Sequence, residues 1–343
     1  MKTLKDVALC AGVSIATVSR VLGGNYPVTE RTRQRVLKAI EELDYHPDGV
    51  ARSLRSAKTY ILGILVPDLA NPYFMQLVRA VEETVAAFGY HLLVASSNEN
   101  GQQETDLLRI FVEQRVDGVV MAPATLEPNA VLTSLAERHT PVVLVDRRIS
   151  GMALDSVREE GRAASEKLVH YVISQGHRKI GLVVRRGRIT SAVEREEGFR
   201  KAMVASDLAV QEDLVIRGEY DRETGYRAGK QFLTMGEDTP TAVFCANNLI
   251  TLGLMHAIYE VGQRVPDDVS VVSFGDPFEA RFISPQITAV VQNPVEVGIH
   301  AARILLRKLQ EGGPQATKPE DIVLPTSIRL GDSVGRPHAV SRH

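Results

Sequence analysis

Over the first sixty positions apolar residues recur three and four apart, the period of short helices. Leu4, Val7, Ala8 and Ala11 fall on one helical face, and Gly12 then interrupts the pattern. Ser14 can cap a second helix, its hydroxyl accepting from orphan N–H groups of the first turn. A third helix is predicted from about 29 to 43, with Val36, Ala39, Ile40 and Leu43 on one side. From Tyr60 the texture changes. Runs of Val, Leu and Ile at 61–66, 92–95, 119–122 and 142–145 have the composition of buried parallel strands. Helical stretches near 74–88, 105–114 and 130–138 lie between them. A second series follows, with strands at 180–184, 214–216, 242–245 and 269–274 and helices near 163–174, 194–205, 223–235 and 249–261. A last helix near 296–309 and strands near 322–324 and 327–330 complete the chain's body. The alternation predicts an α/β protein: an all-α head followed by two lobes, each a doubly wound parallel sheet, with a cleft between them. Ligands in such folds sit beyond the carboxyl ends of the strands.

A length of 343 residues suits two or three domains, and 44% hydrophobic with 24% charged residues is ordinary for a soluble globular chain. The two cysteines, Cys10 and Cys245, are too far apart to suggest a disulfide framework or a zinc site. No metal or cofactor is expected. No apolar run reaches the length of a membrane span, and the N-terminus lacks a signal-peptide stretch, so a cytoplasmic protein with no membrane partner is expected. Charge is uneven. Residues 1–58 carry ten Lys or Arg and six Asp or Glu, a net of +4, which leaves −6 for the remainder of a chain whose total is −2. A basic head on an acidic body is the asymmetry expected when one end meets a polyanion.

That head reads LKDVALCAGVSIATVSRVLG from Leu4 to Gly23. Ala8 is small where two helices must cross, and Gly12 accepts the positive φ of a tight turn. Val13, Val18 and Val21 can lock the helices together. This is helix-turn-helix spacing, in which the second helix enters the major groove of double-stranded DNA. Its outward face carries Ile15, Ala16, Ser19 and Arg20. Arg20 can grip guanine O6 and N7 with two parallel bonds, and Ile15 and Ala16 can touch a thymine methyl. Ser14, Thr17 and Ser19 can hold phosphates, which sets register without reading sequence. An amphipathic helical hairpin with a solvated arginine would show much of the same pattern.

The segment 45–56 reads YHPDGVARSLRS. Pro47 ends what precedes it, and a helix from Val50 to about Arg55 is too short to stand alone in water. On a DNA surface it can fold, with Leu54 as an apolar wedge in the minor groove and Arg52 and Arg55 on the backbone. A plain linker would account for Leu54 but not for the arginines around it.

These residues together resemble the lactose-repressor and galactose-repressor (LacI/GalR) family of bacterial regulators. The resemblance rests on Leu4-Lys5-Asp6-Val7-Ala8, Ala11-Gly12-Val13-Ser14, Thr17-Val18-Ser19-Arg20-Val21, Tyr45-His46-Pro47 and Val50-Ala51-Arg52-Ser53-Leu54. It continues at Asn71-Pro72-Tyr73-Phe74, Gly176-His177-Arg178, Arg195 with Gly198-Phe199, Gly225-Tyr226 and Val269-Ser270-Val271. It implies a homodimer on a near-palindromic operator, with Ile15, Ala16 and Arg20 reading bases and Leu54 wedged at the operator centre. It implies, too, a small-molecule effector, a sugar or sugar derivative, in a cleft lined by Tyr73, Phe74, Asp146, Arg147, Arg195, Tyr220, Asn247 and Asp276. The division it suggests is a DNA-binding domain at 1–46, a hinge and linker at 47–59, and an effector domain at 60–343. The first lobe takes about 60–160 plus 293–320, and the second about 161–292 plus 321–332. The residues leave open whether the effector releases or promotes DNA binding; the resemblance favours release.

The chain departs from the family pattern in the cleft. Gly275 stands where an acid is common, Asn248 where Asp is common, and Glu159-Glu160 replaces an Asp-Asn pair. Arg185 and Arg186 open a loop usually begun by Gly-Pro, and Arg188 follows. Fewer acids and more arginines suggest an anionic effector, a sugar acid or sugar phosphate. A solute-binding protein would share the two lobes but not the basic head. An enzyme is not expected: no zinc-protease, nucleophile-elbow or dinucleotide signature is present, and Gly225–Lys230 lacks phosphate-loop spacing.

Overall fold

Thr3 starts the first helix, α1 (Leu4–Ala11), by a reciprocal cap: its Oγ1 accepts from the Asp6 N–H, and the Asp6 carboxylate accepts from the Thr3 N–H at 2.7 Å. Gly12 ends it in the left-handed region, φ 60°, and the turn leads into α2 (Ile15–Gly23). The third helix, α3 (Glu30–Glu42), begins at the Thr29 cap. Val7, Ala8, Ala11, Val18, Val21, Val36, Ala39 and Tyr45 close the core of this small unit. Arg35 on α3 donates to the carbonyls of Ala11 at 2.5 Å and Gly12 at 3.1 Å, satisfying the frayed end of α1. Gly12 is required twice over. A side chain there would be strained by the positive φ, and its Cβ would stand 2.6 Å from the Arg35 guanidinium.

The computed structural model describes residues 2–23, 28–45, 58–277, 284–311 and 318–337. The hinge expectations at Arg52, Leu54 and Arg55 lie outside them. The chain divides into two units, residues 1–59 and 60–343.

In the second unit the first lobe is built on β1 (Ile61–Val66), α4 (Pro72–Ala86), β2 (His91–Ser96), α5 (Gly101–Glu113), β3 (Gly118–Met121), α6 (Ala130–Glu137), β4 (Val142–Val145) and β5 (Asp155–Glu159). Its sheet runs β11-β5-β4-β3-β1-β2, all parallel, with β11 (Asp321–Leu324) arriving from the far end of the chain. Strand β1 is buried on both faces, which is why it reads as an unbroken apolar run. Leu62, Ile64 and Val66 pack with Leu77 and Val81 of α4 and with Val297 and Leu305 of α11 (Pro294–Gln310). Leu65 faces the opposite core with Leu108, Phe111 and Leu135.

The second lobe holds α7 (Gly161–Ser174), β6 (Ile180–Arg185), α8 (Thr190–Ala205), β7 (Val215–Gly218), α9 (Arg222–Leu233), β8 (Ala242–Cys245), α10 (Asn248–Glu260), β9 (Ser270–Phe274) and β10 (Thr288–Val291). Its sheet runs β12-β10-β9-β8-β6-β7, parallel except for β12 (Ser327–Arg329), which lies antiparallel to β10. Helices α9 and α10 approach so closely that a Cβ at Gly225 would collide with the Ile250 carbonyl, and one at Gly253 with that of Arg222.

The chain passes between the lobes after β5, after β10 and between β11 and β12. Residues 321–332 are expected in the second lobe. That is corrected for β11: it pairs with β5, Ser156 donates to Asp321 at 2.5 Å, and the Glu320 N–H donates to Asp155 at 2.9 Å. The return comes only after Leu324. Strands β5 and β10 were not anticipated either. β5 reads Asp-Ser-Val-Arg-Glu, yet it is largely buried because its polar groups are paired, Asp155 with Lys308 at 3.3 Å among them.

Candidate functional site

Two places gather the chemistry. On α2, Val18 and Val21 turn into the core, so the opposite side must face out. Ser14, Ile15, Ala16 and Arg20 are exposed, and Thr17 and Ser19 are half-buried. Ile15 leaves 45% of its surface open, unusual for a residue that could have packed inward. The Ser14 hydroxyl accepts from the Thr17 N–H at 3.2 Å and lies 2.9 Å from the Thr17 hydroxyl, so it opens the helix as expected. The six residues form one polar and small-apolar face that an α-helix can offer to a groove.

The second place is the cleft between the lobes, at the carboxyl ends of both sheets. Its lining is Asp68, Asn71, Tyr73, Phe74, Glu99, Asp146, Arg147, Arg195, Tyr220, Asn247, Asn248, Phe274 and Gln292, around roughly 400 Å³ of space that includes its open mouth. Seven of the eight residues expected there are present. Asp276 is not: Arg329 takes its carboxylate with two bonds, at 2.7 and 2.8 Å, and the side chain is drawn to β12 instead. That expectation is corrected. Asp68, Asn71, Glu99, Phe274 and Gln292 were not foreseen as lining, and Asn248 was named only as a departure from the family pattern in the cleft. The rule that ligands sit past strand ends would have found them, since each lies at or just after the end of β1, β2, β8, β9 or β10.

Arg147 is fully enclosed. It donates to Glu99 at 2.6 and 2.7 Å and to the Pro123 carbonyl at 3.0 Å, and its Nε lies 3.3 Å from Asp146. Burial raises Glu99, but Arg147 and Arg185 outweigh it and hold the carboxyl below its ordinary range. Arg195 donates to the Ala246 carbonyl at 2.7 Å, lies 3.8 Å from Asp146, and stacks its guanidinium 4.0 Å from the Phe274 ring centre. The Nε atoms of Arg147 and Arg195 are buried without an aligned hydrogen bond. Asn247 commits its Oδ1 to the Leu249 and Ile250 N–H groups at the start of α10. Tyr73 donates to Glu159 at 3.2 Å, and burial drives its hydroxyl well above the usual range. Glu159 also accepts from Gln292 at 2.8 Å and from the Asn293 N–H, so it ties two interlobe crossings together.

The charges of the cleft are largely paired with one another. Asp68, Glu99 and Asp146 face Arg147 and Arg195, three acids to two bases, a formal −1. Both arginines already answer carboxylates of the cleft. Arg185 reaches Glu99 and Glu219 at 3.4 and 3.5 Å, and Arg186 and Arg188 are exposed outside the lining. The expected gain of free positive charge is therefore not there.

Among the described residues no helix is long and apolar enough to cross a membrane, and no group of three or more His, Cys, Asp and Glu could hold a metal ion.

Residues 3–48 match the family described as bacterial regulatory proteins, lacI family, and residues 169–334 match a periplasmic binding protein-like domain. The HTH-type transcriptional repressor PurR of Histophilus somni (strain 129Pt) is 33% identical over 315 residues, covering 92% of this chain and 94% of that protein. Among solved structures, the lac repressor dimer bound to operator and the anti-inducer ONPF superposes with a TM-score of 0.82 at 27% identity, covering 97% of this chain and 99% of the other. A complex of the transcriptional regulator CelR with cellobiose gives 0.72 at 28% identity, covering 97% and 100%.

Proposed function

The chain belongs to the lacI family of bacterial regulatory proteins and is a DNA-binding transcriptional repressor; from that premise we propose that it acts in the cytoplasm as a homodimer on a near-palindromic operator. In this reading Ile15, Ala16 and Arg20 touch base edges, while Ser14, Thr17 and Ser19 position the helix on phosphates. Leu54, flanked by Arg52 and Arg55, wedges the operator centre, within a hinge at 47–59 that joins a head at 1–46 to the body.

The effector is a neutral, polyhydroxylated molecule of sugar type, held between the lobes by Asp146, Arg147, Arg195 and Asn247, with Tyr73, Phe74 and Tyr220 supplying flat faces. The observation that carries this is the pairing of each cleft arginine with a cleft carboxylate. Such pairs offer donors and acceptors side by side, which suits hydroxyls, and leave little net attraction for an anion. The effector works by binding one lobe arrangement better than the other, and it shifts DNA affinity by no more than that difference. A thermal-shift screen tests the ligand class. Neutral sugars should include a stabilising compound, and their acid and phosphate forms should stabilise less. Stabilisation by the charged forms alone would overturn it.

A further inference from the structure

Beside the inner cavity lies an outer one, lined by Pro67, Asn98, Asn100, Arg185, Glu219 and Asp221, and the two share Asp68, Glu99 and Tyr220. Glu99 borders both spaces, whereas Arg185 borders the outer one. The two residues come from opposite lobes, Glu99 from just past β2 and Arg185 from the end of β6, and their charges meet at 3.4 Å. We propose that Arg185 and Glu99 form a gate across the cleft mouth, which opens when Arg185 gives up Glu99 and keeps Glu219 on its own lobe.

The two sides of the pair are unequally fixed. Glu99 is anchored within the first lobe: Arg147 chelates it, and its backbone, at φ 58°, donates to the Pro67 carbonyl at 3.2 Å. Arg185 has longer contacts, to Glu99 at 3.4 Å, to Glu219 at 3.5 Å and to the Arg186 carbonyl at 3.4 Å. Its buried Nε has no aligned acceptor. The guanidinium is held at once by a carboxylate across the cleft and by one on its own lobe, so giving up the first leaves it still paired. Glu219 is 55% exposed, so the open position lies nearer water and is the more easily screened. The gate's consequence for effector entry rests on the reading of the cleft given above; the gate itself does not.

Hydrogen–deuterium exchange on the full-length protein without ligand or DNA tests it. The probes are the amides of Ser97, Glu99 and Asn100, which are bonded to the Val66, Pro67 and Ser97 carbonyls in the first lobe. Arg185→Gln, made in the second lobe, should speed their exchange about two- to fivefold, the size expected of a partly screened ion pair. Arg185→Lys should restore most of the protection. Raising NaCl to about 0.5 M should speed the wild type part of the way to that level and leave the Gln variant unmoved. Unchanged exchange at these amides in the Gln variant, or an equal salt response in both proteins, overturns the gate. So does uniform acceleration that includes β3, because that would report a loosened fold rather than a loosened mouth.

Discussion

Asn71 and Asn248 bind each other reciprocally across the lobes, Asn248 Nδ2 donating to Asn71 Oδ1 at 3.0 Å and Asn71 Nδ2 to Asn248 Oδ1 at 3.3 Å. Both are buried. The pairing gives a physical reason for an amide at 248. Asn71 Oδ1 also accepts from the Tyr73 N–H at 3.0 Å, so a carboxylate at 248 would set oxygen against oxygen. Asn248→Asp should therefore cost about 1–3 kcal/mol, read in thermal unfolding at neutral pH. Asn248→Ala, which removes both bonds without adding repulsion, should cost less. Equal melting of all three proteins would show that the pair contributes nothing.

Gly12 concerns the head alone. Gly12→Ala forces a Cβ into the left-handed region and toward the Arg35 guanidinium, 2.6 Å away. The expected penalty is about 1–2 kcal/mol from the backbone, with further loss if Arg35 leaves the Ala11 carbonyl. Operator binding should weaken while the melting of the 60–343 unit stays unchanged. A head that binds as well as before would remove Arg35 and Gly12 from the account of the turn.

The two thiols should be distinguishable. Cys10 is exposed, whereas burial pushes Cys245 up to about 12. The thiolate is the reactive form. Titration with a disulfide reagent near neutral pH should count one thiol per chain in the native protein and two after unfolding. Two rapid equivalents in the native state would contradict the burial of β8.

Glu159 carries a pH signature. Burial raises its carboxyl above the ordinary 4.5, against the bonds it accepts from Asn293 and Gln292. The folded chain then holds a proton that the unfolded chain has released. This group's stabilising contribution is fully present below the unfolded value, and it is lost as pH rises through the folded one. Relative to Glu159→Gln, the wild type should lose stability as pH climbs upward from about 4.3. A constant difference across that range would place the carboxyl at its unperturbed value.

Much of this was legible in the sequence. The outward face of α2 follows from where Val18 and Val21 fall, because a helix that buries one stripe must expose the other. The apolar strands were plain for the same reason that β1 was: both faces are covered. What stayed hidden depends on pairing at a distance. β5 looks polar until Lys308, Glu320 and Asp321 arrive from more than 150 positions away to satisfy it. Asp276 looked like a cleft acid because nothing local shows that Arg329 will claim it. The arginines at 185–188 suggested an anion site, and only the fold reveals that Arg185 meets Glu99 and that its neighbours point elsewhere.

The central claim is that α2 reads base edges, and selection from a randomised duplex pool tests it most directly. The wild-type chain should enrich a near-palindromic motif, and its affinity should fall steeply with salt. Arg20→Ala should lose about 1–3 kcal/mol on that motif and relax the preference at one base pair in each half-site. Enrichment of no motif by the wild type, or of an identical motif by the Arg20 variant, would contradict the account.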